Sequence, residues 1–416
     1  MESKELYRHL LGMNEPWAVE RVELDMTRGQ VDVHVGHAGG TRFACPECGR
    51  ELAVYDHSGE RTWRHLDSCQ FLTCLHASPP RVSCPDHGVR QARLPWAEEG
   101  SRFTHLFEAL AINVLQAANV KRAAQLLRIS WDQAWNIMER AVVRGRAAKG
   151  DTLPTHIGID EKAIAKGHQY MTLVCDLEEA TVEYIGEGRK EESLTPYFAA
   201  FGPERCAGIE AISLDMWPAF INSCLAHVPD AERKMVFDRF HIMQHVGKGV
   251  DQVRKQEHKM LSAQGIDTLV RSKYLWLYSA ENMPAAARER FDAIKQGNLK
   301  TARAWALKES LRELWGYHSP GWAKRFWQRW YYWATHSRLP AMIAAAKLIA
   351  RHLPNVLTYF KHRITNAVAE GLNSKIATIQ KRAYGFRNRD HFKIAVYFHC
   401  GGLDLYPVSV THGIPG

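Results

Sequence analysis

Between Thr155 and Asp176 the sequence THIGIDEKAIAKGHQYMTLVCD sets β-forming runs on either side of a turn and puts a carboxylate, Asp160, directly after the first run. The runs Ile157 to Ile159, Tyr170 to Val174 and Thr181 to Ile185 are spaced as consecutive antiparallel strands, with Gly167 in the first turn. A buried strand that ends on an ionised carboxylate is costly unless the charge is paired or metal-bound. Asp160 is therefore expected to have a partner or a cation. The motif recurs: GIEAISLD, from Gly208 to Asp215, is a fourth β-run ending on Asp215, and KMVFDRFHI, from Lys234 to Ile242, is a fifth carrying Asp238.

With helical segments after the third and fourth runs, the order is three strands, helix, strand, helix, strand. That is the order of an RNase H-like α/β core, in which the ends of strands one and four lie side by side and bring Asp160 to Asp215. From about Met243 to Pro354 no strand-like alternation remains, and the block holds seven of the thirteen tryptophans. It reads as an all-helical insertion whose aromatics, at helical spacing, form core, with base stacking or wedging against distorted DNA as the alternative. In ITNAVAEGLNSKI the residues Asn366, Glu370 and Asn373 share one helical face by i, i+4, i+7 spacing, while Val368, Leu372 and Ile376 share another.

The N-terminal third has a different character. WAVERVELD and GQVDVHVGH alternate apolar and polar residues around Arg28-Gly29, as two strands do. Cys45-Pro-Glu-Cys48-Gly and Cys84-Pro-Asp-His87-Gly are two-residue-spaced knuckles of the kind that points two side chains at one tetrahedral ion. Together they predict a Cys₃His site for structural zinc, supplying folding energy that so small a β-ribbon otherwise lacks. Cys69, Cys74, His65 and His76 lie between the knuckles and are open as replacement ligands.

From Phe103 the period becomes helical, and Val120 to Val143 fits a helix-turn-helix. Ala123, Ala124 and Leu127 face inward, a turn falls at Arg128-Ile129, and Ser130 caps the second helix with Gln133 as its reciprocal partner. That helix presents Trp131, Gln133 and Asn136 near its N-terminal end, where major-groove readers carry base-contacting residues. Lys121, Arg122, Arg128 and Arg140 complete the expected DNA-binding set. Domain limits follow: a zinc-ribbon domain over 1–95, a helix-turn-helix domain over 100–148, the first part of the core over 155–242, the helical insertion over 243–354, and the core's final helices over 355–416.

Charge supports a polyanionic partner. The chain carries a net +9, but residues 101–150 and 361–416 each hold eight Lys/Arg against three Asp/Glu, whereas residues 155–240 hold eight against fifteen. Basic segments flanking an acidic one suit surfaces that grip phosphates beside a carboxylate site that binds cations. No N-terminal leader is recognisable, and no window reaches the roughly 18 uncharged apolar residues of a membrane span. A cytoplasmic protein with reduced thiols, and no membrane partner, is expected.

Three carboxylates suit Mg²⁺ (or Mn²⁺), a hard ion that takes a few acids plus substrate phosphates. Two such ions can clamp an in-line phosphoryl displacement. Asp160 is the expected bridge between them, Asp215 the ligand of one, and Glu370 the ligand of the other. The blocks GIDEKA, GHQYMTLVCDL, SLDMW, VFDRFHI, TNAVAEGLNSKI and YGFRNRDHFKIAVYF resemble the DDE transposases of bacterial insertion sequences, specifically the ISL-three family, and the resemblance runs nearly end to end. It implies an enzyme that binds the terminal inverted repeats of its element, nicks 3′ ends, and joins them to target DNA, with the triad on Asp160, Asp215 and Glu370. Asp238 competes with Asp215 for the second role. A homodimer or larger assembly on double-stranded DNA is implied as well. The alternatives are a non-catalytic DNA-binding protein and an RNase H-like metal-dependent nuclease.

Overall fold

The computed structural model of the chain describes residues 3–165, 169–297 and 299–407. They divide into two compact units, one of residues 3–150, 388–399 and 403–407, the other of residues 151–387 and 400–402.

The first unit starts with α1 (Ser3–Leu10) and eight strands: β1 (Trp17–Asp25), β2 (Gln30–His37), β3 (Arg42–Ala44), β4 (Glu51–His57), β5 (Arg61–Ser68), β6 (Phe71–Ala77), β7 (Pro80–Cys84) and β8 (Gly88–Gln91). They form two four-stranded sheets, ordered β1-β2-β6-β5 and β3-β4-β7-β8. The alternation read in the sequence is what places Val31, Val33 and Val35 of β2 inside with Trp17, Trp63 and Leu75. Gly29 turns β1 into β2 with a φ of +61°, a conformation that side chains with a Cβ resist.

Three helices follow, α2 (His105–Ala117), α3 (Val120–Leu127) and α4 (Trp131–Lys149). Each begins on a side-chain cap: Thr104, Asn119 and Ser130 accept from the N–H of Phe107, Arg122 and Gln133. Ser130 and Gln133 form the reciprocal box expected from the sequence. The turn between α3 and α4 passes through Arg128 at φ +55°. Beneath it, Ala123, Ala124 and Leu127 are buried.

The second unit holds one five-stranded sheet: β9 (His156–Ala165), β10 (Gln169–Asp176), β11 (Thr181–Glu187), β12 (Ala211–Leu214) and β13 (Met235–Phe237), in the order β11-β10-β9-β12-β13. The first three are antiparallel neighbours, while β12 runs parallel to β9 and to β13. Helices α5 (Thr195–Cys206), α6 (Pro218–His227) and α7 (Ala231–Lys234) connect them. The turn expected at Gly167 lies outside the described residues.

Asp160 corrects one expectation. It does not end its strand but sits mid-way along β9, opposite Leu173 of β10. The parallel neighbour β12 pairs with β9 only from His156 to Gly158, so the carboxylate lies two residues beyond the point where the sheet narrows to a hairpin.

A helical block follows: α8 (Arg239–Ser262), α9 (Lys273–Leu277), α10 (Ala285–Lys295), α11 (Lys300–Arg312), α12 (Pro320–Thr335), α13 (Pro340–Arg351), α14 (Leu353–Leu357) and α15 (Tyr359–His362). Five of its tryptophans (276, 305, 315, 327 and 330) are buried in one core with Ile157 and Ile159 of the sheet. Full burial of such side chains contributes about 1.5–3 kcal/mol each, which makes them the dominant local stabilising term. Lys308 is buried there and donates to the carbonyls of Trp276, Leu277 and Tyr278, satisfying the C-terminal end of α9 that would otherwise be left unpaired.

α16 (Ala367–Arg382) then lies on β9, burying Ala369, Leu372 and Ile376. Val368, expected on that face, is only half-buried. The final helix, α17 (Arg389–Cys400), was expected among the last core helices. Residues 388–399 belong instead to the first unit, where His391 stacks on Trp135 of α4 at 4.2 Å and Arg146 lies over the Tyr397 ring at 4.5 Å.

Candidate metal centres and nucleic-acid interface

In the first unit, the knuckles bring Cys45, Cys48, Cys84 and His87 together, with their ligand atoms all within 4.8 Å of one another. β3 leads into Cys45 and β7 ends on Cys84, and Gly49 and Gly88, both at positive φ, close the turns. The Sγ atoms of Cys48 and Cys84 are 3.7 Å apart, and the Cys84 Sγ lies 3.5 Å from His87 Nδ1. Zinc–ligand bonds at tetrahedral angles require roughly 3.8 Å between two sulfurs and roughly 3.5 Å between sulfur and nitrogen. The donor set and its spacing fit zinc. Burial opposes ionisation of Cys84, but hydrogen bonds from His87, the backbone near Asp86 and Cys48 outweigh it and lower the thiol to about 6. The four open candidates between the knuckles stand apart: His65 bonds Thr104 Oγ1, His76 bonds Asp32, and neither Cys69 nor Cys74 joins the cluster.

The helix-turn-helix residues fall into two groups. Lys121, Arg122, Trp131 and Asn136 have exposed side chains. Gln133 uses its side-chain oxygen on the Ser130 N–H, at 2.8 Å. Arg128 donates to Asp67 and to the Gln70 carbonyl in the β5–β6 turn, which ties the helix turn to the ribbon. Arg140 donates at 2.5 Å to Glu108, a buried acid that also accepts from Ser101. A guanidinium neutralising a buried carboxylate is a structural group. Arg140 is thus engaged within the fold by a buried acid.

In the second unit the carboxylates come from four elements. Asp160 accepts from the Glu161 N–H at 2.8 Å and from the Asn373 side-chain amide of α16 at 2.6 Å. Burial raises its pKa, against the Glu161 N–H, His241 and Asn373, which favour the anion. Asp215, just past β12, accepts from the Met216 N–H at 2.6 Å, and its other oxygen is 3.6 Å from His241 Nδ1. Asp238, just past β13, is 4 % exposed and caps α8 through the Phe240 N–H, while its second oxygen accepts from the Asn366 N–H at 3.3 Å. Glu370 lies in the first turn of α16, where burial and then the charge of Asp238 raise its pKa, and His241 and Arg239 lower it.

His241 is the common neighbour, beside Asp215 and electrostatically coupled to both Asp160 and Glu370. Sequence reasoning passed over it. The available signal was its position one turn beyond Asp238 in VFDRFHI, facing the same way at the start of α8. Gly158 was missed too. A Cβ there would stand 2.8 Å from Leu177 Cδ2 and 3.0 Å from Asn366 Oδ1, so the glycine leaves room for those two side chains where α16 meets β9. Lys162 strengthens that contact by donating to the Asn373 carbonyl at 2.8 Å.

The acids form no closed ligand set among the described residues. Among the described residues, the group of three or more potential ligands within 4.8 Å of one another is the Cys₃His cluster. Glu370 and Asp238 instead border a cavity of about 760 Å³ between α8, the helical block and α16, with Arg239, Lys248, Lys273 and Arg312 also on its wall. Hard carboxylate oxygens facing open space fit Mg²⁺ or Mn²⁺ bound together with substrate oxygens.

Residues 157–396 match the family model of a DDE transposase of the ISL3 group, which covers more than half of the chain. The chain belongs to the ISL3 transposase family. Two further models agree on the flanking modules: a helix-turn-helix domain of transposase family ISL3 over residues 92–142, and the zinc-finger of transposases IS204, IS1001, IS1096 and IS1165 over residues 41–87. Similar full-length proteins include the transposase for insertion sequence element IS1001 of Bordetella parapertussis, 28% identical over 391 residues, 93% of this chain and 96% of that one. The transposase for insertion sequence element IS1557 of Mycobacterium tuberculosis is 26% identical over 418 residues, 93% of each chain. This ISL3 transposase is accordingly a protein with zinc-ribbon, helix-turn-helix and DDE transposase domains. No helix of the described residues is long and apolar enough to cross a membrane.

Proposed function

We propose that this transposase binds the terminal inverted repeats of its own element, nicks their 3′ ends, and joins the freed ends to target DNA on an RNase H-like core. The sheet order β11-β10-β9-β12-β13 supports that core, with α8 to α15 as an insertion before the helix that carries the last acid. What supports the reading is that Asp160 is held at 2.6 Å by Asn373 of α16, the helix that carries Glu370, while Asp215 lies 3.6 Å from His241 at the start of α8.

Asp160, Asp215 and Glu370 are the residues that would hold the catalytic Mg²⁺ or Mn²⁺. When bound, such ions acidify the attacking hydroxyl and neutralise charge on the leaving oxygen. The protein's own groups prepare the place. Asn373 and the Glu161 N–H bond both oxygens of Asp160 and favour its anion, in opposition to burial. Asp238 is assigned to positioning: it caps α8 and accepts from the Asn366 N–H at the start of the helix that carries Glu370. Arg239, Lys248 and Lys273 on the cavity wall are suited to hold a DNA phosphate beside Glu370.

Lys121, Arg122, Trp131 and Asn136 are proposed to contact the element ends, with Gln133 and Arg128 supporting the helices that present them. Because two ends must be joined, a homodimer or larger assembly on DNA is the proposed active form.

The test is cleavage of a duplex carrying the element's end by full-length protein with Mg²⁺. Asp160→Ala, Asp215→Ala and Glu370→Ala are each expected to lower nicking by at least about a hundredfold while end binding persists. A variant that nicks at the parental rate removes its residue from the site. Asp238→Asn, which keeps a capping oxygen, is expected to retain more activity than Asp215→Ala, and the reverse order exchanges the two assignments.

A further inference from the structure

From Leu314 to Ala369 the chain runs for 56 residues without one Asp or Glu, while carrying eight Lys or Arg. A solvated helical surface ordinarily mixes both signs, so an acid-free run of this length marks a face kept clear of negative charge. α12 shows where that face is. Its buried side is Ala323, Trp327, Trp330 and Ala334. At 3.6 residues per turn, Trp322, Arg325, Arg329, Tyr332, Trp333 and His336 fall within an arc of roughly 100° on the opposite side, and all six are exposed.

Three large aromatics in that stripe stand in solvent, Trp322 at 58%, Tyr332 at 66% and Trp333 at 45%. They are interleaved with cations. Arg325 lies over the Trp322 ring at 4.9 Å, and Tyr332 stacks on His336 at 4.0 Å. At the C-terminal end of the stripe, Trp333 and His336 border a separate cavity of about 320 Å³ with Arg303 and Arg338 on its wall. Five other tryptophans of the helical block are buried, so leaving these two and a tyrosine outside is not what core packing requires.

We propose that this face of α12, with the cavity at its end, is a second DNA-binding surface, and that it takes an unpaired strand. The proposal rests on the reading of this protein as a DNA-processing transposase and adds a site outside both its helix-turn-helix and its carboxylates. Alternating aromatic platforms and guanidinium groups suit a single strand, whose bases offer π-faces for stacking and whose phosphates run alongside. An intact duplex keeps its base faces covered and would leave Trp322, Tyr332 and Trp333 without that gain. A second copy of the chain docked across a twofold axis on this stripe would set its cations against themselves, with no acid in the run to offset them.

Full-length protein is titrated against a fluorescently labelled oligothymidine and against an end-bearing duplex of the same length. The Tyr332→Ala, Trp333→Ala double variant is expected to weaken oligothymidine binding by about tenfold or more. Arg325→Gln with Arg329→Gln should reduce the slope of log affinity against log salt by about 1.4, since each single-strand phosphate contact contributes about 0.7, and replacement of both by Lys should restore it. Duplex binding should stay at the parental level in both. Variants that match the parent in melting temperature and still bind oligothymidine like the parent overturn the proposal. Equal weakening toward the two DNAs also overturns it, in favour of a duplex surface. A parent that binds neither DNA defeats the underlying DNA reading as well.

Discussion

The two candidate metal centres were built by opposite rules. The Cys₃His cluster gathers its ligands from two short turns, presents them already at tetrahedral spacing, and leaves no open position. The carboxylate site draws on residues scattered from Asp160 to Glu370 and stops short of a closed set, and of its proposed ligands Glu370 borders a cavity of about 760 Å³. Softness explains part of the difference. Sulfur and imidazole ligands can sit in contact without a full charge on each, whereas ionised carboxylates repel one another unless cations come between them. A structural ion is wanted permanently, while a catalytic one must share its coordination with substrate. The comparison teaches that ligands gathered from two short turns suit an ion that holds a fold, whereas ligands drawn from distant segments suit one that shares its coordination with substrate.

The sharpest way to break this contrast is to take zinc away. Cys84→Ser, or a strong chelator, is expected to abolish the cooperative melting of the ribbon, because zinc binding and folding are one equilibrium in so small a module. The five-stranded unit should melt as before. Loss of both units together, or of neither, would contradict the division of roles; calorimetry and zinc analysis on the full chain measure it.

A smaller effect is expected from Gly158→Ala. The added methyl meets the side-chain ends of Leu177 and Asn366, which must give way beside β9. Overpacking of this kind costs about 1–3 kcal/mol, and nicking should fall more than melting suggests, because Asn366 precedes the helix that carries Glu370 and Asn373. An unchanged nicking rate would mean that α16 does not set the site.

The smallest effect is one of pH. Burial raises the pKa of Asp160 in the folded protein, so the native state binds its proton more tightly than the unfolded chain does. The destabilisation from this group is fully present above the raised folded value and is relieved as pH falls through it. Without divalent metal, Asp160→Asn should therefore melt higher than the parent near neutral pH, with the gap closing on acidification. A gap that widens toward acid would reverse the sign and refute the buried-charge account.

What the sequence made legible was local. The knuckles, the hairpin at Gly29, the Ser130–Gln133 box and the alternation of strands and helices in the core are decided by residues within a few positions of one another, and each stands where it was expected. What escaped depends on distant parts meeting. That β12 pairs with only three residues of β9, leaving Asp160 mid-strand, follows from sheet register. That α17 joins the first unit rests on packing of His391 and Tyr397 against α4. Arg140 was legible as a cation but not as the partner of a buried acid 32 positions away. His241 was visible as a residue and invisible as a centre, since only the fold sets it beside Asp215.

The central claim is that Asp160, Asp215 and Glu370 serve one divalent-cation pocket. Calorimetric titration of Mn²⁺ into the parent and into Asp160→Asn and Glu370→Gln, each bound to end DNA and with its zinc content verified, tests it directly. The account predicts that both substitutions lose Mn²⁺ binding that the parent shows. Parental Mn²⁺ binding by Glu370→Gln alongside its loss in Asp160→Asn would place Glu370 outside the pocket and contradict the account.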